Sequence, residues 1–174
     1  EISREIVRRF NNLYGEVFPE PQTLLTEAKR IPGTDGRKMS KSYGNAIYLK
    51  DDPETIRQKL RPMVTDPARK RRTDPGDPDV CPVFDLHKAF SPQDVREWAA
   101  AGCRSAGIGC LDCKAKLADQ LIARLAPIYE RRQELAKRPD TVWDVLCEGS
   151  QKARQVAEAT MDDVRAAIKI RYER

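Results

Sequence analysis

Histidine occurs once in this 174-residue chain, at His87, and aromatic residues make up only 6% of it. That single histidine reads as a local hydrogen-bonding residue rather than a catalytic one. No apolar run approaches the length of a membrane span, and no signal peptide opens the chain. There is no internal repeat and no low-complexity segment. The five cysteines are an odd number, and nothing else suggests secretion. A disulfide framework is therefore not expected, and a cytoplasmic protein with thiolates available for metal is. The opening Glu1-Ile2-Ser3 lacks an initiating methionine, and a helical pattern follows at once, so the chain reads as part of something longer.

What is present is well-charged material able to bury a core: 40% hydrophobic and 34% charged residues. The net charge of +5 and pI near 9.0 are a modest excess that favours an anionic partner such as nucleic acid. Ser3 is placed to cap a helix that runs to about Tyr14 and stops at Gly15, with Ile6, Val7, Phe10, Leu13 and Tyr14 as its apolar stripe. Thr23 to Ile31 has room for a short strand. Asp52-Pro53-Glu54 has the cap-then-proline form of a helix start, and that helix continues to about Leu60.

From Thr65 to Pro82, Asp, Pro and Gly predict a loop or domain junction with a basic tetrad, Arg69-Lys70-Arg71-Arg72, inside it. Such a tetrad is a solvated face or a phosphate-contacting one. Beyond Pro82 only helices are expected. One starts at Ser91-Pro92 and ends before Gly102. A second spans about Leu111 to Leu135, with Pro127 as a potential kink. A third spans about Asp140 to Ile170, with Gly149 either interrupting it or admitting a close neighbour. Their stripes predict a small helical bundle.

Two stretches carry chemistry. Pro32 to Asn45 contains Lys38-Met39-Ser40-Lys41-Ser42 among glycines, a flexible, cationic, hydroxyl-rich loop suited to a polyphosphate. Its composition predicts a mobile segment, and Ala46-Ile47-Tyr48-Leu49 should anchor its far end. Downstream, Cys81, Cys103, Cys110 and Cys113 are separated by twenty-one, six and two residues. The C-x-x-C pair lets two thiolates reach one metal centre, and Gly102, Gly107 and Gly109 leave the backbone free to wrap it. Lys88, Arg104 and Lys114 could offset the thiolate charge. One pair joined by two isolated cysteines suits an iron–sulfur cluster better than zinc, with four unrelated buried thiols as the bland alternative. Cys147 stands alone and is expected to pack.

The string Asp35-Gly36-Arg37-Lys38-Met39-Ser40-Lys41-Ser42-Tyr43-Gly44-Asn45 resembles the KMSKS signature of class I aminoacyl-tRNA synthetases, and its flanks resemble the tryptophanyl branch. The likeness covers essentially the whole chain, including Asp74 to Pro78 and the helical tail. The four cysteines are similar to those of a bacterial subset of that branch that carries a [4Fe-4S] cluster, although the first gap is one residue shorter here.

The resemblance implies a mainly α chain: residues 1–50 as the C-terminal edge of a Rossmann-type catalytic domain, and residues 51–174 as an α-helical, anticodon-side bundle. It implies ATP-dependent activation of tryptophan and its transfer to tRNA(Trp), with Mg²⁺. In that reading Lys38 and Lys41 act on the ATP phosphates, Met39, Ser40 and Ser42 complete the loop, and the four-cysteine centre holds [4Fe-4S] or, alternatively, Zn²⁺. Arg69 to Arg72 meet tRNA, and the full-length protein is a homodimer. The HIGH-type motif of the family is absent, so the chain alone is not expected to make the adenylate. The competing reading is a non-catalytic helical tRNA-binding fragment or paralogue with a structural metal centre.

Overall fold

The structure, a computed structural model, describes residues 1–26, 28 and 30–170. Among them the regular elements are helices: α1 (Ile2–Tyr14), α2 (Pro53–Leu60), α3 (Pro82–Phe90), α4 (Gln93–Arg104), α5 (Cys110–Ala136) and α6 (Pro139–Ala167). Short 3₁₀ turns occupy Lys41–Tyr43 and Pro78–Val80. No strand forms between Thr23 and Ile31 among the described residues, and Glu27 and Lys29 of that stretch lie outside them. The nearest β feature is a single antiparallel bridge from Pro32 to Lys38. The mainly α expectation holds.

Two compact units divide the chain. One is Thr26–Ala136, and the other combines Glu1–Leu25 with Lys137–Arg174. Within the first, α5 packs on α2 and α3, and α3 packs on α4. Its core joins Ile56, Leu60 and Met63 to Val83 and Leu86 of α3 and to Leu117, Ala118 and Leu121 of α5. Those α5 positions, with Lys114, recur at helical spacing, so one stripe faces the core. Each large apolar side chain so buried contributes about 1.5–3 kcal/mol of transfer free energy. Ala46 is buried, and Ile47 packs against the same core, as the anchoring role predicts.

Local chemistry explains the helix ends. Asp52 accepts the Thr55 N–H at 2.7 Å, and Pro53 occupies the first turn, so α2 begins as the sequence predicts. At its other end the buried Lys114 Nζ donates to the Arg61 carbonyl at 3.0 Å. Four boundaries differ from expectation. α1 starts at Ile2, so Ser3 lies inside it rather than capping it. Ser91 does not cap α4 with its side chain; Ser91 Oγ instead meets His87 Nδ1 at 2.7 Å. α4 runs through Gly102, because a glycine there leaves room for Ile108, whose side-chain carbons would lie 2.9 Å from an added Cβ. α6 is continuous through Gly149, and among the described residues nothing would lie within 4 Å of a Cβ added there, so it neither interrupts the helix nor admits a neighbour.

The Thr65–Pro82 loop lies inside the Thr26–Ala136 unit rather than at its edge. In the other unit α1 is tied to the segment after it. Asn11 donates to the Phe18 carbonyl at 2.7 Å and accepts from Phe18 N, while Arg8 makes a two-pronged pair with Glu20. Neither α1 nor α6 buries a residue. Their stripe residues Ile6, Leu13, Val145, Leu146 and Val156 are exposed, as is Cys147, which was expected to pack.

Candidate functional site

The lysine loop is built around a side chain that the sequence does not advertise. Asn45 is buried, and its amide sits at the loop's centre. Its Oδ1 accepts the Ser40 N–H at 2.8 Å, while its Nδ2 donates to Asp35 Oδ1 at 2.7 Å and to the Lys38 carbonyl at 3.2 Å. The Asn45 carbonyl also accepts from Thr34 N. Gly33 makes this possible, since a Cβ there would lie 2.2 Å from Asn45 Nδ2. Around this hub the backbone folds back on itself through Gly33 N to Arg37 O and Met39 N to Ile31 O, and Val64 N bonds to Thr34 O. The Asn45 amide and Arg37 hold the Asp35 carboxyl below its ordinary range.

With the backbone so fixed, Lys38 and Lys41 are exposed, and the Ser40 and Ser42 hydroxyls meet at 2.9 Å. Met39 is half-buried. The turn Lys41–Tyr43 ends on Gly44, whose φ of 65° needs the left-handed region that glycine tolerates. The Arg37 guanidinium lies 4.5 Å from the Tyr43 ring centre. The result is two ammonium groups and paired hydroxyls in solvent on a backbone braced by one amide.

The four cysteines sit at helix ends. Cys81 caps the start of α3, Cys103 lies in the last turn of α4, and Cys110 and Cys113 lie in the first turn of α5. α3 packs on both α4 and α5. Burial pushes the Cys113 thiol up to about 12, and Cys81, Cys103 and Cys110 each add to the rise. Burial also raises Cys103, while Arg69 opposes it. Among the described residues, however, no three His, Cys, Asp or Glu side chains are grouped closely enough to hold a metal ion.

Of the three cations the sequence suggests for the thiols, Lys114 is beside them and Lys88 and Arg104 are engaged elsewhere. Lys88 pairs with Asp85 and Asp79, and Arg104 with Asp79. Arg69 and Lys114 are the buried cations of this corner. Arg69 Nη1 lies 3.8 Å from Cys103 Sγ, and its Nη2 donates to the carbonyls of Arg72 and Ile108. Its buried Nε has no hydrogen-bond partner among the described residues. Arg69 thus departs from the exposed tetrad the sequence implies, since its guanidinium is enclosed by backbone and sulfur. Gly76 leaves the space for it, as a Cβ there would meet Cys103 Sγ at 2.7 Å and Arg69 Cδ at 3.0 Å. His87, fully buried, reaches the Cys113 carbonyl at 3.3 Å and Cys113 Sγ at 3.4 Å through Nε2, and burial holds its pKa down. That is the local hydrogen-bonding role expected of it.

Lys70, Arg71 and Arg72 remain exposed. Asp74 accepts the N–H groups of Lys70 and Arg71, which shapes the turn. With Thr65 and Gly109 to Asp112 they line an open cavity of about 450 Å³ beside the start of α5. Sequence reasoning found the tetrad, but nothing in a run of four basic residues marks which one turns inward.

The chain belongs to the family described as tRNA synthetases class I (W and Y), which matches residues 1–126. Within that family it is similar to tryptophan–tRNA ligases. It is 50% identical over 171 residues to the one from Aquifex aeolicus, covering 98% of this chain and 43% of that protein. It is 49% identical over 173 residues to the one from Thermotoga maritima, covering 99% and 53%. Among solved structures, the tryptophanyl-tRNA synthetase of Campylobacter jejuni complexed with ADP and tryptophan matches with a TM-score of 0.71 and 29% identity, over 96% of this chain and 52% of that one. The chain spans about half the length of the curated relatives it matches.

Proposed function

We propose that this chain is the C-terminal part of a tryptophan–tRNA ligase, supplying the ATP-phosphate loop and the helical tRNA-side region. The observation that carries the reading is the pair of exposed lysines, Lys38 and Lys41, on a loop whose backbone Asn45 braces. In tryptophan activation the carboxylate attacks the α-phosphate of ATP, and negative charge grows on the departing pyrophosphate. Ammonium groups that meet that charge chiefly in the transition state accelerate the step rather than merely tightening binding. Ser40 and Ser42 add hydroxyl donors. The carboxylate is already ionised at neutral pH, so no general base is needed, and Mg²⁺ shares the phosphate charge. The HIGH-type half of the site belongs to polypeptide outside this chain, and a homodimer is proposed for the full-length enzyme. Tryptophan-dependent pyrophosphate exchange tests the assignment: full-length protein should show it and this chain alone should not. Robust exchange by the chain alone would overturn the division of labour.

Lys70, Arg71 and Arg72 are the proposed tRNA-phosphate contacts. Affinity for tRNA(Trp) should fall steeply with salt and lose part of that slope when Lys70 and Arg72 are replaced by alanine. Salt-independent binding would defeat this reading.

Cys81, Cys103, Cys110 and Cys113 are the proposed ligands of a [4Fe-4S] cluster, with zinc as the alternative. Two features support the reading: four free thiols at the ends of three helices, and a buried guanidinium whose Nη1 faces Cys103, with Gly76 leaving it room. Once bound, such a group cross-links the ends of three helices. Iron and sulfide analysis of protein purified without oxygen separates the two metals. Cys113→Ser should lose the metal and Cys147→Ser should keep it. A colourless protein with one zinc per chain favours the alternative.

A further inference from the structure

We propose that Lys59 is a positioning residue for the lysine loop: from α2 its ammonium holds the Ala46 carbonyl, and through that peptide it fixes Asn45 and the main chain carrying Lys38 and Lys41. The proposal rests on the reading of those two lysines as phosphate-handling groups. Lys59 Nζ donates to Ala46 O at 3.0 Å and to Asp51 Oδ2 at 2.5 Å, and it lies 4.6 Å from the centre of the Tyr48 ring. An ammonium has three donors, and these three partners account for them. Asp51 is held in turn, since the same Oδ2 accepts the Tyr48 N–H at 2.8 Å. Ordering a four-carbon side chain costs rotamer freedom, and an ion pair in open water returns little of it. This pair is sheltered: the Asp51 side chain is 7% exposed and that of Lys59 29%.

The core fixes the helix from which Lys59 reaches out. Ile56 and Leu60 of α2 are buried in the cluster shared with α5, so α2 cannot shift without opening that packing. Two ties run from this helix to the loop. Val64 N, just past the end of α2, bonds to Thr34 O at 3.0 Å on the entering limb, and Lys59 Nζ takes Ala46 O on the leaving limb. Between the limbs lies Asn45, whose carbonyl accepts from Thr34 N and whose amide holds Ser40 N and Lys38 O. Ala46 shares a peptide bond with Asn45, so releasing the Ala46 carbonyl lets the amide hub turn and both ammonium groups drift. A shift of about 1 Å in a group aimed at the reacting atoms can cost about 100-fold in rate. The Val64 tie is main chain to main chain, whereas the Lys59 tie can be cut by a side-chain substitution.

The test uses full-length protein and compares wild type with Lys59→Met, the double variant Lys59→Met/Asp51→Asn, and Lys50→Met. Lys50 also lies over the Tyr48 ring, at 5.7 Å, so its variant controls for loss of a cation there. Tryptophan-dependent pyrophosphate exchange at varied ATP, transfer from preformed tryptophanyl-adenylate to tRNA(Trp), and urea unfolding are measured on each. Lys59→Met should slow exchange at saturating ATP by about 10- to 100-fold, with the KM for ATP changed much less. Transfer should be unaffected, because pyrophosphate has left before that step. Resistance to urea should also fall, as the Asp51 carboxylate stays buried without its cation. The double variant removes that charge, so it should regain stability while exchange stays as slow as in Lys59→Met. Lys50→Met should match wild type.

A folded double variant with wild-type exchange overturns the proposal, because stability would then be the whole effect. Equal slowing of exchange and transfer overturns it too, since that is general loosening rather than positioning. So does a rise in the KM for ATP with the saturating rate kept, or a Lys50→Met as slow as Lys59→Met. If Lys59→Met does not fold, the double variant decides by itself. A wild type without exchange instead removes the phosphate-loop reading on which the inference stands, a result distinct from an active wild type indifferent to Lys59.

Discussion

The lysine loop and the cysteine corner both concentrate positive charge, and they treat it in opposite ways. Lys38 and Lys41 are exposed, while the polar hub beneath them, Asn45, is buried and neutral. At the corner the charge itself is buried, on Arg69 and Lys114, and its partners are sulfur and main-chain oxygen. An exposed ammonium keeps its hydration until an anion arrives, so it suits a ligand that comes and goes. A buried guanidinium has lost its water permanently and suits a resident partner. The difference lies in where the neighbouring glycine sits. Gly33 lets an amide into the loop, and Gly76 lets an arginine and a sulfur meet.

The sharpest way to break the comparison is Lys41→Ala in the full-length enzyme. Pyrophosphate exchange should fall by about 10²–10³ with helix content unchanged, the loss typical of removing a donor aimed at developing transition-state charge. A fall confined to the KM for ATP would mean that the lysine binds ground state and transition state alike. Next, Asn45→Ala should destabilise the Thr26–Ala136 unit by about 1–3 kcal/mol in urea unfolding, because Asp35, Lys38 and Ser40 lose a buried partner. It should also slow exchange while leaving both lysines in place, which would sharpen the view that the loop works by bracing.

Acid titration probes both regions more gently. Main-chain N–H donors from Asp77 and Ala68 hold Asp66 below its ordinary carboxyl range, as the Asn45 amide and Arg37 hold Asp35. Each contributes stability that is fully present above the ordinary carboxyl value and is lost as pH falls through the lower folded one. Urea midpoints should therefore be flat in this respect from pH 8 to about 5 and decline below about 4. Asp66→Asn should remove its share of that decline, and an unchanged acid limb would show that the carboxylate is not the trigger. The smallest effect is expected outside both sites. Gly149→Ala lies mid-helix with nothing near its Cβ among the described residues, so it should raise thermal stability by up to about 1 kcal/mol and leave exchange unaltered.

Much of this was legible from local pattern. The α2 start reads directly from Asp52-Pro53-Glu54, because capping and proline placement are settled within one turn. Apolar spacing from Leu117 to Leu121 located the α5 core face. Gly102 and Gly149 misled for a shared reason: a glycine in a helix signals a break only if no packing or helix length overrides it. At Gly102 the overriding fact is Ile108, a contact made by chain reversal. Lys88 and Arg104 were plausible counter-charges by proximity in sequence, and Asp79 took both.

The sequence by itself determined which reactive groups the two stretches carry, ammonium and hydroxyl groups in one loop and thiols in the other, because side-chain type and local spacing carry that information. It also determined the helical character, through periodicity. Only the tertiary structure decided that Asn45 braces the lysines and that Arg69, alone of four adjacent basic residues, turns inward to sulfur. Burial and long-range hydrogen bonds depend on which helix ends meet, and no window of the chain contains that.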